Sequence, residues 1–204
     1  MIDRRAFFLL PAVLIGACTP EGHSVPQDSI RQYHVADVVI RGAEHIFSWP
    51  AQEKIVIGQN KLSQQEQSEL TGRGAGTFPP LREQMEKTMR ELFTMQANNQ
   101  LRGVLSGSKP ATLIVNVKMF DIPSVARKVI VGGHARKHFE IDLVDKASGT
   151  PIVRYEGLLG QNVQLQGLAS IAEAAIQGDK NDPAPEMIRS EVETYRTWLA
   201  GSSR

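Results

Sequence analysis

Apolar and polar positions alternate along several stretches of the chain and recur at helical spacing along others. Residues 33–41 (YHVADVVIR) are β-branched and alternating, and predict a first strand. Ile46, Phe47 and Trp49 make an apolar patch that ends at Pro50, and residues 54–58 (KIVIG) read as a short second strand. Residues 112–122 place Leu113, Val115, Val117 and Met119 on one face and Asn116 and Lys118 on the other. Residues 134–145 repeat this, with Phe139, Ile141 and Leu143 inward and His138, Glu140 and Asp142 outward. The run Asp145-Lys146-Ala147-Ser148-Gly149 is a hairpin turn with glycine at the left-handed position, and residues 152–159 return as the partner strand.

Helical spacing is strongest over residues 80–97. Leu81, Met85, Met89, Leu92, Phe93 and Gln96 share a face there, Glu83–Lys87 and Glu86–Arg90 are favourably ordered pairs, and Pro79 and Pro80 suit the start. The methionines, including Met95, are read as core. Residues 167–177 predict a short Ala-rich helix. Asp182 and Pro183 cap a final one running to Leu199, with Met187, Ile188, Val192, Tyr195, Trp198 and Leu199 in a stripe that should pack on the sheet. Residues 59–78 read as a long polar loop. Its glycines Gly72, Gly74 and Gly76 lack the spacing of a phosphate loop and are taken as a lead-in to the helix. The pattern predicts an α+β fold: a mainly antiparallel sheet of four to five strands with two to three helices packed on one face.

The N-terminus has a different pattern. Arg4 and Arg5 form a basic head, followed by the apolar run 6–17 (AFFLLPAVLIGA). As a helix that run would rise about 18 Å against a hydrocarbon core of about 30 Å, so it fits a signal-peptide core and not a membrane span. It ends in Ile15-Gly16-Ala17-Cys18, which resembles a bacterial lipobox, where a branched aliphatic and two small residues precede the lipidated cysteine. Small residues are required because the lipid-transferring enzyme and the peptidase must both reach the backbone beside the sulfur. The resemblance implies acyl chains on Cys18; each buried CH₂ contributes about 0.8 kcal/mol, and stable anchoring takes more than one chain. Thr19 stands where an aspartate would direct inner-membrane retention, which implies the periplasmic face of the outer membrane. The head from Arg4 to Leu9 also resembles a twin-arginine export motif, although an ordinary secretory head is equally compatible with it. Residues 19–29 (TPEGHSVPQDS) read as a polar tether reaching at most about 36–40 Å. The organisation expected is a signal peptide over 1–17, a lipidated cysteine and tether over 18–29, and one α+β domain over 30–204.

Composition narrows the chemistry. With 23 Lys plus Arg against 22 Asp plus Glu, the chain lacks the charge of a nucleic-acid binder that works by bulk electrostatics. A single cysteine excludes a disulfide framework, a CxxC redox pair and a Cys-rich zinc site. His134 and His138 are the closely spaced histidine pair, but in a strand their backbones lie about 13 Å apart, so no metal is expected. No GxSxG elbow occurs, and Asp37, Asp121, Asp142 and Asp145 do not pair for acid–base work. Neither a catalytic constellation nor a cofactor is expected.

The one local charge imbalance is Arg127, Lys128, Arg136 and Lys137, with His134 and His138 among them, around Gly132 and Gly133. These six are the candidate contacts for an anionic envelope partner such as phospholipid heads, lipopolysaccharide phosphates or peptidoglycan carboxylates; the competing reading is a hairpin kept soluble by its charge. The run Val115-x-Val117-x-x-Phe120, Ala126-Arg127, Val131-Gly132-Gly133-His134, Phe139-x-Ile141-x-Leu143-x-Asp145 and Ser148-Gly149 resembles an uncharacterised family of small bacterial envelope lipoproteins, over residues 113–157. More broadly, it is similar to lipoprotein domains of envelope assembly and transport accessories. The family has no established activity, so the resemblance implies no catalytic residues. The long Gln-rich stretch and Trp49-Pro50 depart from its pattern. The expectation is a non-catalytic, lipid-anchored periplasmic protein that binds a protein partner or an envelope polymer through a sheet edge or the basic arm. The alternatives are a small-molecule or lipid-binding domain with an apolar pocket and, more weakly, an envelope hydrolase.

Overall fold

The computed structural model describes residues 22–72, 78–124, 127, 134–157 and 182–201. The expected signal peptide, Cys18, Gly74, Gly76, Lys128, Gly132, Gly133 and the helix over 167–177 lie outside the described residues. Chain order is α1 (Gln27–Ile30), β1 (Tyr33–Arg41), a 3-10 turn (Ala43–His45), β2 (Ile46–Ser48), α2 (Pro50–Asn60), α3 (Gln64–Gly72), α4 (Pro79–Gln100), β3 (Lys109–Asp121), β4 (Arg136–Asp145), β5 (Pro151–Glu156) and α5 (Ala184–Leu199). The fold is α+β with a sheet of five strands, and helices pack with the sheet.

The sheet order is β1-β3-β4-β5, with β2 also on β3. β4 runs antiparallel to both β3 and β5, whereas β1 and β2 run parallel to β3. β2 resumes where β1 stops: Arg41 is opposite Asn116, and Ile46 is opposite Phe120. The chain leaves the sheet between them at Gly42, whose φ is +75° and whose missing Cβ would lie 2.5 Å from the Val117 carbonyl oxygen. Only glycine fits that left-handed turn against the neighbouring strand. A parallel neighbour requires a crossover, and the segment from α2 to α4 supplies it.

α4 and α5 lie against each other and cover one face of the sheet. Leu81, Met85, Met89, Phe93 and Ala97 from α4 are buried with Met187, Ile188, Val192, Tyr195 and Leu199 from α5. They meet Leu113, Val115 and Val117 of β3, Phe139, Ile141 and Leu143 of β4, and Tyr155 of β5, all buried. Phe93 meets Phe139 edge-on at 5.3 Å between centroids, and Tyr195 stacks on Trp198 at 5.9 Å. Met95 is 45% exposed and so leaves the core it was expected to join. The opposite face carries polar pairs: Lys118–Glu140 at 3.0 Å, and Asp142 between Arg154 (2.7 Å) and Asn116 (3.0 Å).

Two elements correct the sequence reading. Residues 54–58 are not a strand but the middle of α2, whose inner face is Gln52 and Val56. Pro50 stands in the first turn, and the Glu53 carboxylate accepts from the Trp49 N–H (3.0 Å) and the Ser48 hydroxyl (3.2 Å), so the start is fixed before the β-branched run begins. Residues 59–78 are not one loop, because α3 lies within them. Its entry is a capping box in which Ser63 N–H donates to Glu66 at 2.8 Å and the Glu66 N–H approaches Ser63 Oγ at 3.4 Å. The polar stretch 19–29 is also not a free tether throughout. The Gln27 amide donates to the Leu199 carbonyl (2.7 Å), the His23 ring nitrogen Nε2 contacts the same oxygen (3.0 Å), and His23 packs edge-on against Trp198.

Candidate functional site

The expected basic arm divides when its residues are placed. Asp121, at the end of β3, has a side chain only 2% exposed. Arg127 grips it with both terminal nitrogens, at 2.9 and 3.0 Å, and Arg136 adds a third bond at 3.0 Å from the first residue of β4. A buried carboxylate needs such partners, since uncompensated burial of its charge is costly. The two arginines therefore tie the end of β3 to the start of β4, and their heads remain about half exposed. His134 is exposed and His138 half-buried, two residues either side of Arg136.

Lys137 is a correction to the candidate surface. It shares its face of β4 with Phe139 and Ile141 and is buried among them. Its Nζ lies 2.9 Å from Glu191 and donates to the Met187 carbonyl at 2.8 Å, both on α5. The pair is inside the protein, so Lys137 is unavailable to an outside anion. Beside it, burial pushes the Tyr155 phenol above its ordinary value, and the Glu191 charge adds to the effect. Burial, with Asp142, does the same to Tyr195. The second Glu191 oxygen and the Tyr195 hydroxyl have no hydrogen-bond partner among the described residues.

The remaining aspartates are also accounted for. Asp145 accepts from the Ser148 and Ala147 N–H groups (2.8 and 2.9 Å) and so holds the hairpin; the Ser148 N–H above all keeps its carboxyl below the usual range. Gly149 closes that turn with φ +72°, as the spacing predicts. Asp37 accepts from the Val38 N–H (2.9 Å). Among the described residues no three His, Cys, Asp or Glu side chains are grouped to hold a metal, and no helix is long and apolar enough to cross a membrane.

What the sequence did not locate is the junction of β1 with the end of α4. β1 pairs with β3 along one side, and among the described residues no strand pairs with its other side. At its start lies a pocket of about 190 Å³ lined by His34 and Val35 of β1, Ala97 and Asn98 of α4, and Leu101, Arg102 and Leu105 of the following turn. Leu101 and Leu105 are buried, whereas Asn98 and Arg102 are exposed at the rim. His34 Nδ1 lies 3.1 Å from the Gly107 carbonyl, which fixes the ring against the loop that returns to β3. No local motif marks the place, because it forms only when residues far apart in sequence are brought together.

In comparisons with protein-family models, curated proteins and solved structures, nothing matched the chain.

Proposed function

We propose that this protein is a lipid-anchored component of the bacterial cell envelope, acylated at Cys18, and that its α+β domain is a non-catalytic partner-binding module. The observation that carries the binding reading is the side of β1 left without a strand neighbour among the described residues. An edge strand presents backbone N–H and C=O groups that a partner segment can pair with. Asp37 and Arg41 are exposed along it. The basic arm is the weaker contact surface, because Arg127 and Arg136 already hold Asp121 and Lys137 is buried. The anchor rests on the lipobox-like run Ile15-Gly16-Ala17-Cys18.

Two measurements test the reading. A photo-crosslinking residue at Asp37 or Arg41, introduced in the native host, should give a discrete adduct, while one at Glu193 on the exposed side of α5 should not. Equal yields from all three positions would remove the edge from consideration. The mature N-terminal peptide should begin at an acylated Cys18, and Cys18→Ser should leave the membrane fraction. An unmodified thiol would end the anchor proposal.

A further inference from the structure

We propose that the free edge of β1 pairs antiparallel with the same edge of a second copy of this chain, around a two-fold axis at Val39, so that Asp37 of each copy meets Arg41 of the other. The proposal rests on the edge-binding reading above and names the partner. Three observations support it. The first is the direction of the backbone groups. The Val38 N–H donates to the Asp37 carboxylate of its own chain (2.9 Å) and so points away from β3. Backbone N–H and C=O groups alternate between the two sides of a strand, and the pairing with β3 is regular from Asp37 to Arg41. Val38 and Ile40 therefore both present theirs to the open side. An antiparallel neighbour pairs such residues with each other, here Val38 of one copy with Ile40 of the other.

The second is the length of the free edge. The Tyr33 carbonyl already accepts from the Gly107 N–H (3.0 Å), which closes the start of β1. At the other end the strand stops at Arg41, and the chain leaves the sheet at Gly42. Between these ends the register with β3 shifts once, between Val35 and Asp37. The regular stretch is Asp37-Val38-Val39-Ile40-Arg41, and an axis at Val39 uses all of it and nothing beyond. That axis stands normal to the sheet, so the helical layers of both copies lie on one face. Val38 and Ile40, buried beneath the helices, belong to that face, and Asp37, Val39 and Arg41 share the other.

The third is the order of the charges. Asp37 and Arg41 are exposed, and Arg41 has no side-chain partner among the described residues. In the register centred on Val39 each aspartate stands directly across from an arginine, at non-hydrogen-bonded positions, where side chains approach most closely. The adjacent registers that keep Val38 and Ile40 hydrogen-bonded centre on one or the other of them. They set Asp37 opposite Val39 or beyond the end of the strand, and neither pairs the charges. An edge guarded by one sign of charge repels a copy of itself, whereas opposite signs equally spaced from the centre attract one.

The test uses single cysteines in the full-length chain carrying Cys18→Ser. Across a non-hydrogen-bonded pair the two Val39 Cα atoms would lie about 4.5 Å apart, within disulfide range. Val39→Cys should therefore oxidise to a covalent dimer, and Glu193→Cys, on the exposed side of α5, should not. Asp37→Cys alone should stay monomeric, because its two copies would be more than about 13 Å apart, but it should crosslink when mixed with Arg41→Cys. In sedimentation equilibrium, Asp37→Arg should weaken self-association about tenfold or more, and adding Arg41→Asp should restore it, which recovery from a folding defect would not explain. No more oxidised dimer from Val39→Cys than from Glu193→Cys, or no rescue by the charge swap, would overturn the proposal. If the Asp37 photo-crosslink then joins the chain to a different protein, the edge reading stands and self-pairing does not. Absence of both the Val39→Cys dimer and any Asp37 adduct removes both.

Discussion

Lys137 and Glu191 sit inside the domain with side chains 1% and 7% exposed, and their contribution depends on their remaining paired. Lys137→Met alone would leave a buried carboxylate without its cation and is expected to cost about 3–5 kcal/mol in chemical denaturation. Adding Glu191→Met should recover most of that loss, since an apolar pair of similar volume avoids the desolvation of both charges. The two buried phenols give a pH signature. Tyr155 and Tyr195 have folded values raised above the ordinary tyrosine value of about 10, so above that pH the folded state holds protons that the unfolded state releases. Their contribution is intact below about pH 10 and is lost as the pH rises, by up to about 1.4 kcal/mol per pH unit for each. Equilibrium unfolding across that range should show a steeper alkaline decline than in the Tyr155→Phe, Tyr195→Phe double variant. The burial of Lys137 was legible in the sequence: Phe139 and Ile141 point inward, and period-two alternation carries Lys137 with them. Counting its charge with that of Arg136 obscured the parity. The grip on Asp121 was not legible, because nothing local joins residues 121, 127 and 136.

At the level of elements, α4 separates its methionines by function in packing. Met89→Ala should cost about 2–5 kcal/mol by opening a buried cavity, whereas Met95→Ala should stay within about 0.5 kcal/mol, both read from denaturant midpoints. Trp49 joins two helices: its indole N–H donates to both Asp182 oxygens (3.0 and 2.9 Å), and Asp182 also accepts from the Ala184 N–H (3.0 Å) at the start of α5. Asp182→Ala should cost about 1–3 kcal/mol, from an unpaired indole and the lost bond to the first N–H of α5 together. Long periodic elements such as α4, α5, β1 and β4 could be read because each buries a face over several turns or pleats. α2 was misread because five residues of KIVIG satisfy either period, and the deciding information lies upstream in Ser48, Pro50 and Glu53. α3 carries a legible signature, Ser63-x-x-Glu66, but its low apolar content hid it.

For the whole molecule, alternation identifies strands but is silent on their neighbours, so the parallel placement of β1 and β2 on β3 emerges only from the assembled sheet. The docking of His23 and Gln27 onto the end of α5 bears on reach. If Cys18 is acylated as proposed, only the segment from Cys18 to His23 is left to connect its sulfur to the folded body, and even fully stretched that segment extends no more than about 18 Å. His23→Ala with Gln27→Ala should release the segment, and a spin label on α5 should then sample a wider range of depths relative to labelled lipid. A module held on so short a leash could not search the width of a periplasm. Under the anchor proposed above, whatever the domain recognises would have to be delivered to the bilayer surface, either resident in the same membrane or brought there by a longer molecule.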